Sequence, residues 1–210
     1  MTKNTGKFIT LEGIEGAGKS TMLNFISEQL QQAGNEVVVT REPGGTRVGE
    51  KLREILLDNS NTQLSDDAEL LIIFAARAQH LQQVIRPALN AGQYVLCDRF
   101  TDASYAYQGG GRNMSTERIR QLEDWAQQGL KPDLTILFDL DVATGLRRAG
   151  KRGDADRFEQ EHVDFFERIR QCYIDRASAE PERFRVIDAA STVDNVKQQI
   201  LEVLKDKQLC

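Results

Sequence analysis

Nine consecutive residues, Gly13-Ile-Glu-Gly-Ala-Gly-Lys-Ser-Thr21, hold the densest chemistry in this 210-residue chain. Glycine, four residues, then Gly-Lys-Ser is the spacing of a loop that cradles phosphate oxygens. The glycines let the backbone turn tightly and point its N–H groups inward, and a helix starting at Ser20 adds its positive end. Lys19 reaches outer phosphates, and the Ser20 hydroxyl is placed to ligate Mg²⁺. Gly13, Ile14, Glu15, Gly16, Ala17, Gly18, Lys19, Ser20 and Thr21 are therefore the candidate contacts to a nucleoside triphosphate. Glu15 is the odd member. An anion set among phosphate-binding groups repels the ligand unless it has its own partner.

Further candidates stand where predicted strands end. Arg41-Glu42-Pro43-Gly44-Gly45-Thr46 reads as a tight turn holding Arg41 and Glu42 near the end of the second strand. Arg53 follows on a short helix, facing either an anion or water. Arg77 comes at once after the apolar run Leu70–Ala76, so it requires a partner. A base edge, a phosphate or an internal carboxylate would each serve. At the end of the third strand, Asp98 is placed to hold Mg²⁺ through water or to orient a loop group, and Arg99 to face the phosphates. Phe100 to Arg112, with Ser104, Tyr105, Tyr107, Gln108 and three glycines, reads as a nucleoside pocket with a flexible exit. Five cations fall within eleven residues from Arg147 to Arg157, punctuated by Gly150 and Gly153. This segment reads as a lid that closes arginines over phosphates, with a solvated charged face as the alternative.

These groups need a scaffold, and the chain supplies an alternating one. Predicted strands Phe8–Leu11, Val37–Thr40, Tyr94–Cys97, Leu134–Leu140 and Phe184–Ile187 are mostly apolar, as in a parallel sheet covered on both faces. Between them lie predicted helices Ser20–Ala33, Val48–Asp58, Asp66–Asn90, Thr116–Gln128, Val142–Ala149, Glu159–Ala179 and Val193–Lys205. The order implies one doubly wound α/β domain with ligands at the carboxyl ends of its strands.

A net charge of −5 argues against a general nucleic-acid surface. Cys97, Cys172 and Cys210 fit a reducing, cytoplasmic compartment rather than a disulfide framework. His80 and His162 lack a metal-binding companion, and both are expected at the surface. The polar stretch Met1–Lys7 has no signal-peptide character, and the longest apolar run is too short to span a membrane.

Taken together, the motifs resemble thymidylate kinases of the bacterial type. The resemblance rests on Gly13–Thr21, Arg41-Glu-Pro-Gly-Gly45, Phe74-Ala-Ala-Arg77, Asp98-Arg99, Ala106-Tyr-Gln-Gly-Gly-Gly-Arg112, Lys131-Pro-Asp-Leu134 and the arginine-rich segment. It covers essentially the whole chain, and implies a single P-loop kinase domain over residues 1–210 with a lid at about 147–158. It further implies transfer of the ATP γ-phosphoryl group to dTMP with Mg²⁺, in a homodimer. By position, Lys19, Arg99, Arg152 and Arg148 would be catalytic, with Arg152 the best match to the lid arginine. Ser20 and, through water, Asp98 would hold the metal. The dTMP site would comprise Glu15, Glu42, Pro43, Arg53, Ile73, Phe74, Arg77, Arg99, Ser104, Tyr107 and Gln108. Within it Glu15 would accept from the sugar 3′-hydroxyl, Arg53 and Arg99 would hold the phosphate, and Arg77 and Ser104 would meet the thymine edges. Tyr107 would crowd the 2′ position.

Two positions depart from the family pattern. The family's base-stacking aromatic lies four residues before the Arg77 equivalent, where this chain has Ile73. Phe74 comes one place later, a helical turn of roughly 100°. Either the ring covers the base from a shifted angle or Ile73 forms an aliphatic wall. Gly150 stands where the family often has an arginine. A guanine-reading Asn-Lys-x-Asp tetrad, which a GTPase switch would need, is absent from the chain. Intact Lys19, Ser20, Asp98 and Arg99 argue against a scaffold that has lost catalysis.

Overall fold

The computed structural model describes residues 6–150 and 156–209. Strands β1 (Phe8–Glu12), β2 (Val37–Arg41), β3 (Tyr94–Asp98), β4 (Leu134–Asp139) and β5 (Phe184–Asp188) form one parallel sheet. Its order is β2-β3-β1-β4-β5. The connections reverse direction at β1, so the crevice at its carboxyl end is the natural ligand position. Every residue of β1 is buried, and the phosphate-loop candidate begins directly after it.

Side-chain alternation assigns the two faces. Ile9 and Leu11 point to the side covered by α1 (Lys19–Gln32) and α9 (Val193–Asp206), where Met22, Ile26, Leu30, Val196, Ile200 and Leu204 pack. Phe8 points the other way, into a cluster with Val95, Leu81, Ile85 and Phe100. On that same side α8 (Val163–Ala179) packs Phe166, Ile169 and Tyr173 against Leu137 and Phe184.

Several predicted elements take a different form. The single helix expected over Asp66–Asn90 is α3 (Asp66–His80), a π-helical segment (Leu81–Ile85) and α4 (Arg86–Asn90). Pro87 lacks an N–H and would clash with the carbonyl four residues back, and the widened π turn just before it relieves both problems. The glycines expected to form a flexible exit are instead helical, with α5 (Thr101–Ser104) running into a π segment (Tyr105–Gly111). Its glycines serve close packing on α8. A Cβ at Gly110 would lie 2.9 Å from the Arg168 carbonyl, and one at Gly111 would lie 2.4 Å from the Phe165 ring. Helix α8 starts at Val163 rather than Glu159, because Asp156 Oδ1 accepts from the N–H groups of Phe158 and Glu159 in a separate turn.

The remaining helices, α2 (Arg47–Leu57), α6 (Thr116–Gln127) and α7 (Val142–Ala149), match expectation to within a residue or so. His162 is exposed, as expected, but His80 is fully buried. Its ring is enclosed because both nitrogens have internal partners: Nδ1 lies 2.9 Å from Glu42 Oε1 and Nε2 lies 2.7 Å from Thr40 Oγ1.

Candidate active site

The segment from β1 to α1 is a glycine-built turn. Gly13, Gly16 and Gly18 adopt φ of 135°, 74° and 85°, which few other residues tolerate. Gly16 is also pressed against the start of α7, since a Cβ there would meet the Gly145 carbonyl at 2.1 Å. Glu15 through Thr21 line a cavity of about 490 Å³. Gly13 and Ile14 take part through their carbonyls, which accept from Lys19 Nζ at 2.9 and 3.0 Å. Burial, followed by the Arg99 charge, lowers the Lys19 ammonium to about 8. Ser20, Asp98 and Arg148 share this cavity. Asp98 Oδ1 is buried with no hydrogen-bond partner. Arg148 donates from Nη1 to the Ala189 carbonyl at 3.1 Å.

Arg99 sits at the join of two cavities. Its backbone is left-handed, φ 70°, a conformation that persists only when the surroundings impose it. The surroundings are specific. Arg99 N–H donates to the Leu11 carbonyl at 2.9 Å, and Phe100 N–H donates to Glu12 Oε1 at 2.8 Å. The other Glu12 oxygen accepts from the Tyr173 hydroxyl at 2.8 Å. Burial, with the nearby Asp102 charge, pushes the Glu12 carboxyl up to about 7.

So oriented, Arg99 Nη2 donates to Glu15 Oε1 and to the Tyr107 hydroxyl, each at 2.7 Å, and its guanidinium lies 4.7 Å from the Tyr107 ring centre. Tyr107 in turn donates to Glu15 Oε1 at 2.5 Å. Burial works against the Glu15 charge, but Arg99, Lys19 and Tyr107 outweigh it and hold the carboxyl below its usual range. The other oxygen, Glu15 Oε2, is buried with no partner. The anion that looked misplaced in the phosphate loop is thus neutralised on one oxygen and open on the other.

Glu15, Glu42, Arg53, Arg99 and Asp156 line both this cavity and a second, more apolar one. Pro43, Ile73, Ser104, Tyr107 and Gln108 line only the second. Arg53 is steadied by a 3.0 Å bond from Nη1 to the Pro43 carbonyl. Arg77 lies just behind the wall, 1% exposed. Its Nε donates to Glu42 Oε2 at 2.7 Å, and its Nη2 donates to Ser104 Oγ at 3.0 Å and to the Phe100 carbonyl at 3.1 Å. The internal-carboxylate partner is therefore real, yet Arg77 Nη1 is left buried without an acceptor.

Phe74 does not reach the cavity. It packs with Leu70, Tyr105 and Ile119, and stacks beneath Arg77 at 4.5 Å. The aliphatic Ile73 takes the wall position. Arg152 lies outside the described residues. Arg157 is turned away from the phosphate loop, donating to Glu69 Oε2 at 2.6 Å and to the Leu56 carbonyl at 2.9 Å.

Sequence reasoning passed over Glu12, Glu69, His80, Asp156 and Phe158. Glu12 had a readable signal, a carboxylate ending a strand that is otherwise apolar but for Thr10. Glu69 gives no such signal, because its arginines, Arg112 and Arg157, come much later in the chain.

The family model for thymidylate kinase matches residues 11–200. A thymidylate kinase of Ectopseudomonas mendocina (strain ymp) is 60% identical over 93% of each chain. One from Alcanivorax borkumensis is 53% identical over 97% of this chain and 98% of its own. The crystal structure of thymidylate kinase from Ehrlichia chaffeensis superposes with a TM-score of 0.78 at 33% identity, covering 95% of this chain and 98% of that one. With a nucleotide-sized nest at the switch point and relatives this similar along its whole length, the chain belongs to the thymidylate kinase family.

Proposed function

We propose that the protein transfers the γ-phosphoryl group of ATP to dTMP, giving dTDP and ADP, a step toward dTTP. One observation carries the reading. The phosphate-loop cavity and a second, more apolar cavity share Arg53 and Arg99 in their walls. Two phosphate groups that enter from opposite sides meet at those arginines.

Phosphoryl transfer is mainly positioning and charge neutralisation. An oxygen of the acceptor phosphate attacks the γ-phosphorus as the bond to the β–γ bridging oxygen breaks. The acceptor phosphate is already largely a dianion at neutral pH, with a second pKa of roughly 6, so no general base is required. Lys19 turns from the Gly13 and Ile14 carbonyls to the ATP phosphates. Arg53 and Arg99 hold the acceptor phosphate. Glu15 Oε2 accepts from the sugar 3′-hydroxyl, while Tyr107 closes the space at the 2′ carbon. Arg77 Nη1 is a donor in want of an acceptor, which suits the thymine edge. Arg148 and Arg152 add cationic charge from the segment 147–158, read as the lid of a single domain.

The Ser20 hydroxyl and Asp98 carboxylate fit a hard, oxygen-preferring Mg²⁺ ion. Both face one cavity, and the orphaned Asp98 oxygen suits a metal-bound water. When bound, the ion would neutralise charge on the transferring phosphate oxygens.

Cytoplasmic placement is supported by the free thiols of Cys97 and Cys172, and no helix of the described chain is long and apolar enough to cross a membrane. A homodimer is supported by exposed Val48, Ile55 and Leu71 on α2 and α3, and a monomeric mass in sedimentation equilibrium would exclude it.

ADP release from ATP, measured with dTMP, dUMP, dCMP and thymidine in parallel, tests the activity. Turnover should be fastest with dTMP. Release that ignores the acceptor would overturn the proposal.

A further inference from the structure

We propose that Glu69 decides which pyrimidine the acceptor cavity takes, by fixing which way round the Gln108 amide sits. The inference rests on the acceptor reading above.

Glu69 lies in the first turn of α3 and is 1% exposed. Its Oε1 accepts from Gln108 Nε2 at 2.8 Å. Its Oε2 accepts from Arg157 Nη2 at 2.6 Å and from Arg112 Nη2 at 3.3 Å. Arg112 Nε lies 3.4 Å from Oε1. The two arginines are anchored elsewhere, Arg157 on the Leu56 carbonyl and Arg112 on Glu161, so the carboxylate cannot rotate freely.

A carboxylate only accepts hydrogen bonds, so Gln108 must show it the NH₂ group and turn the carbonyl oxygen the other way. Gln108 is itself buried and forms part of the acceptor cavity wall. The wall there is consequently an acceptor. Thymine and uracil carry an N–H at ring position 3 and satisfy it. Cytosine has a bare nitrogen at that position and sets lone pair against lone pair. Leaving a buried polar group unmatched corresponds to about five- to a hundredfold in binding. Glu69 touches no nucleotide in this scheme; it is a positioning residue acting through Gln108.

The decisive variant is Glu69→Gln. Its amide oxygen would stay with the arginines at the Oε2 position, leaving its NH₂ facing Gln108. Two NH₂ groups cannot face each other, so the Gln108 amide turns over and presents its own NH₂ to the cavity. The ratio of kcat/KM for dCMP to that for dTMP should rise about tenfold or more, in protein shown by its unfolding midpoint to be folded. A merely structural role for Glu69 would lower both values and leave the ratio unchanged, and that result would overturn the proposal.

Gln108→Leu provides a second arm. It should move the ratio toward unity, and adding Glu69→Gln to it should change the ratio no further. An unchanged ratio in Gln108→Leu, or a full additional shift in the double variant, would also overturn the proposal. Wild-type protein that ignores dTMP would instead remove the acceptor reading itself.

Discussion

The two halves of the site are built in opposite ways. The phosphate half is local: Lys19 bonds to carbonyls five and six residues before it. The acceptor half is assembled from distant segments by buried charges. Glu42 and Arg77 are 35 positions apart, Glu15 and Arg99 are 84, and Glu69 and Arg157 are 88. A lysine whose partners are carbonyls of its own loop draws little on distant side chains, although the loop also packs against α7 at Gly16. A cavity held by long-range ion pairs exists only when the whole domain is folded. Damage to the first should mainly remove activity, whereas damage to the second should remove stability as well.

Arg99 belongs to both halves, and its loss should have the largest effect. Arg99→Ala removes the cation shared by both phosphates and leaves Glu15 repelling them. We expect kcat/KM to fall by roughly 10²–10³ or more, the scale of one preorganised transition-state group. A fall of less than tenfold in the ADP-release assay would mean that the halves do not meet at this residue.

The next pair of variants separates the two kinds of construction. Arg77→Ala leaves the buried Glu42 carboxylate with His80 as its remaining side-chain partner and should destabilise the protein by about 3–5 kcal/mol in urea unfolding. Lys19→Met should abolish turnover while leaving the unfolding midpoint the same or higher, because it relieves the burial of an ammonium group. If the two variants destabilised equally, the local-versus-distributed contrast would break.

The smallest effect is a pH response. Lys19 is lowered to about 8 from an ordinary 10.5, so the fold penalises its charged form. Phosphate favours that same form. Above pH 8 the free protein loses the charge that ATP needs, and KM for ATP should rise up to about tenfold per pH unit. Stability runs the opposite way. Between about 8 and 10.5 the unfolded chain binds more protons at this lysine than the folded one, so this residue's contribution to stability rises with pH. Thermal unfolding followed from pH 7 to 10 in wild type and Lys19→Met isolates that slope.

The same contrast explains what could be read from the sequence. The five strands, the sheet class and the phosphate loop follow from short windows, since apolar runs and glycine spacing act locally. Ile73 and Phe74 were not separable that way. Which of two adjacent side chains faces the cavity depends on the Leu70, Tyr105 and Ile119 cluster that claims Phe74. His80 looked like a surface residue because its partners, Thr40 and Glu42, arrive from another strand and turn. The glycines at 109–111 suggested flexibility, but glycine also permits close packing, and only the position of α8 distinguishes the two. Glu69 stayed hidden for want of any nearby cation.

The pairing of Arg99 with Glu15 has a consequence for range. Much of the arginine's positive potential is cancelled within 2.7 Å of its source. The protein as a whole carries a net charge of −5. Ionic screening further limits exposed charges to about 8 Å at physiological ionic strength. Arg99 therefore has little reach into solution, and selects an anion by contact rather than by long-range attraction. A small monoester that slides between the cavity walls can meet the guanidinium directly. Association with dTMP should accordingly depend only weakly on salt, in contrast to proteins that gather their anions from a distance.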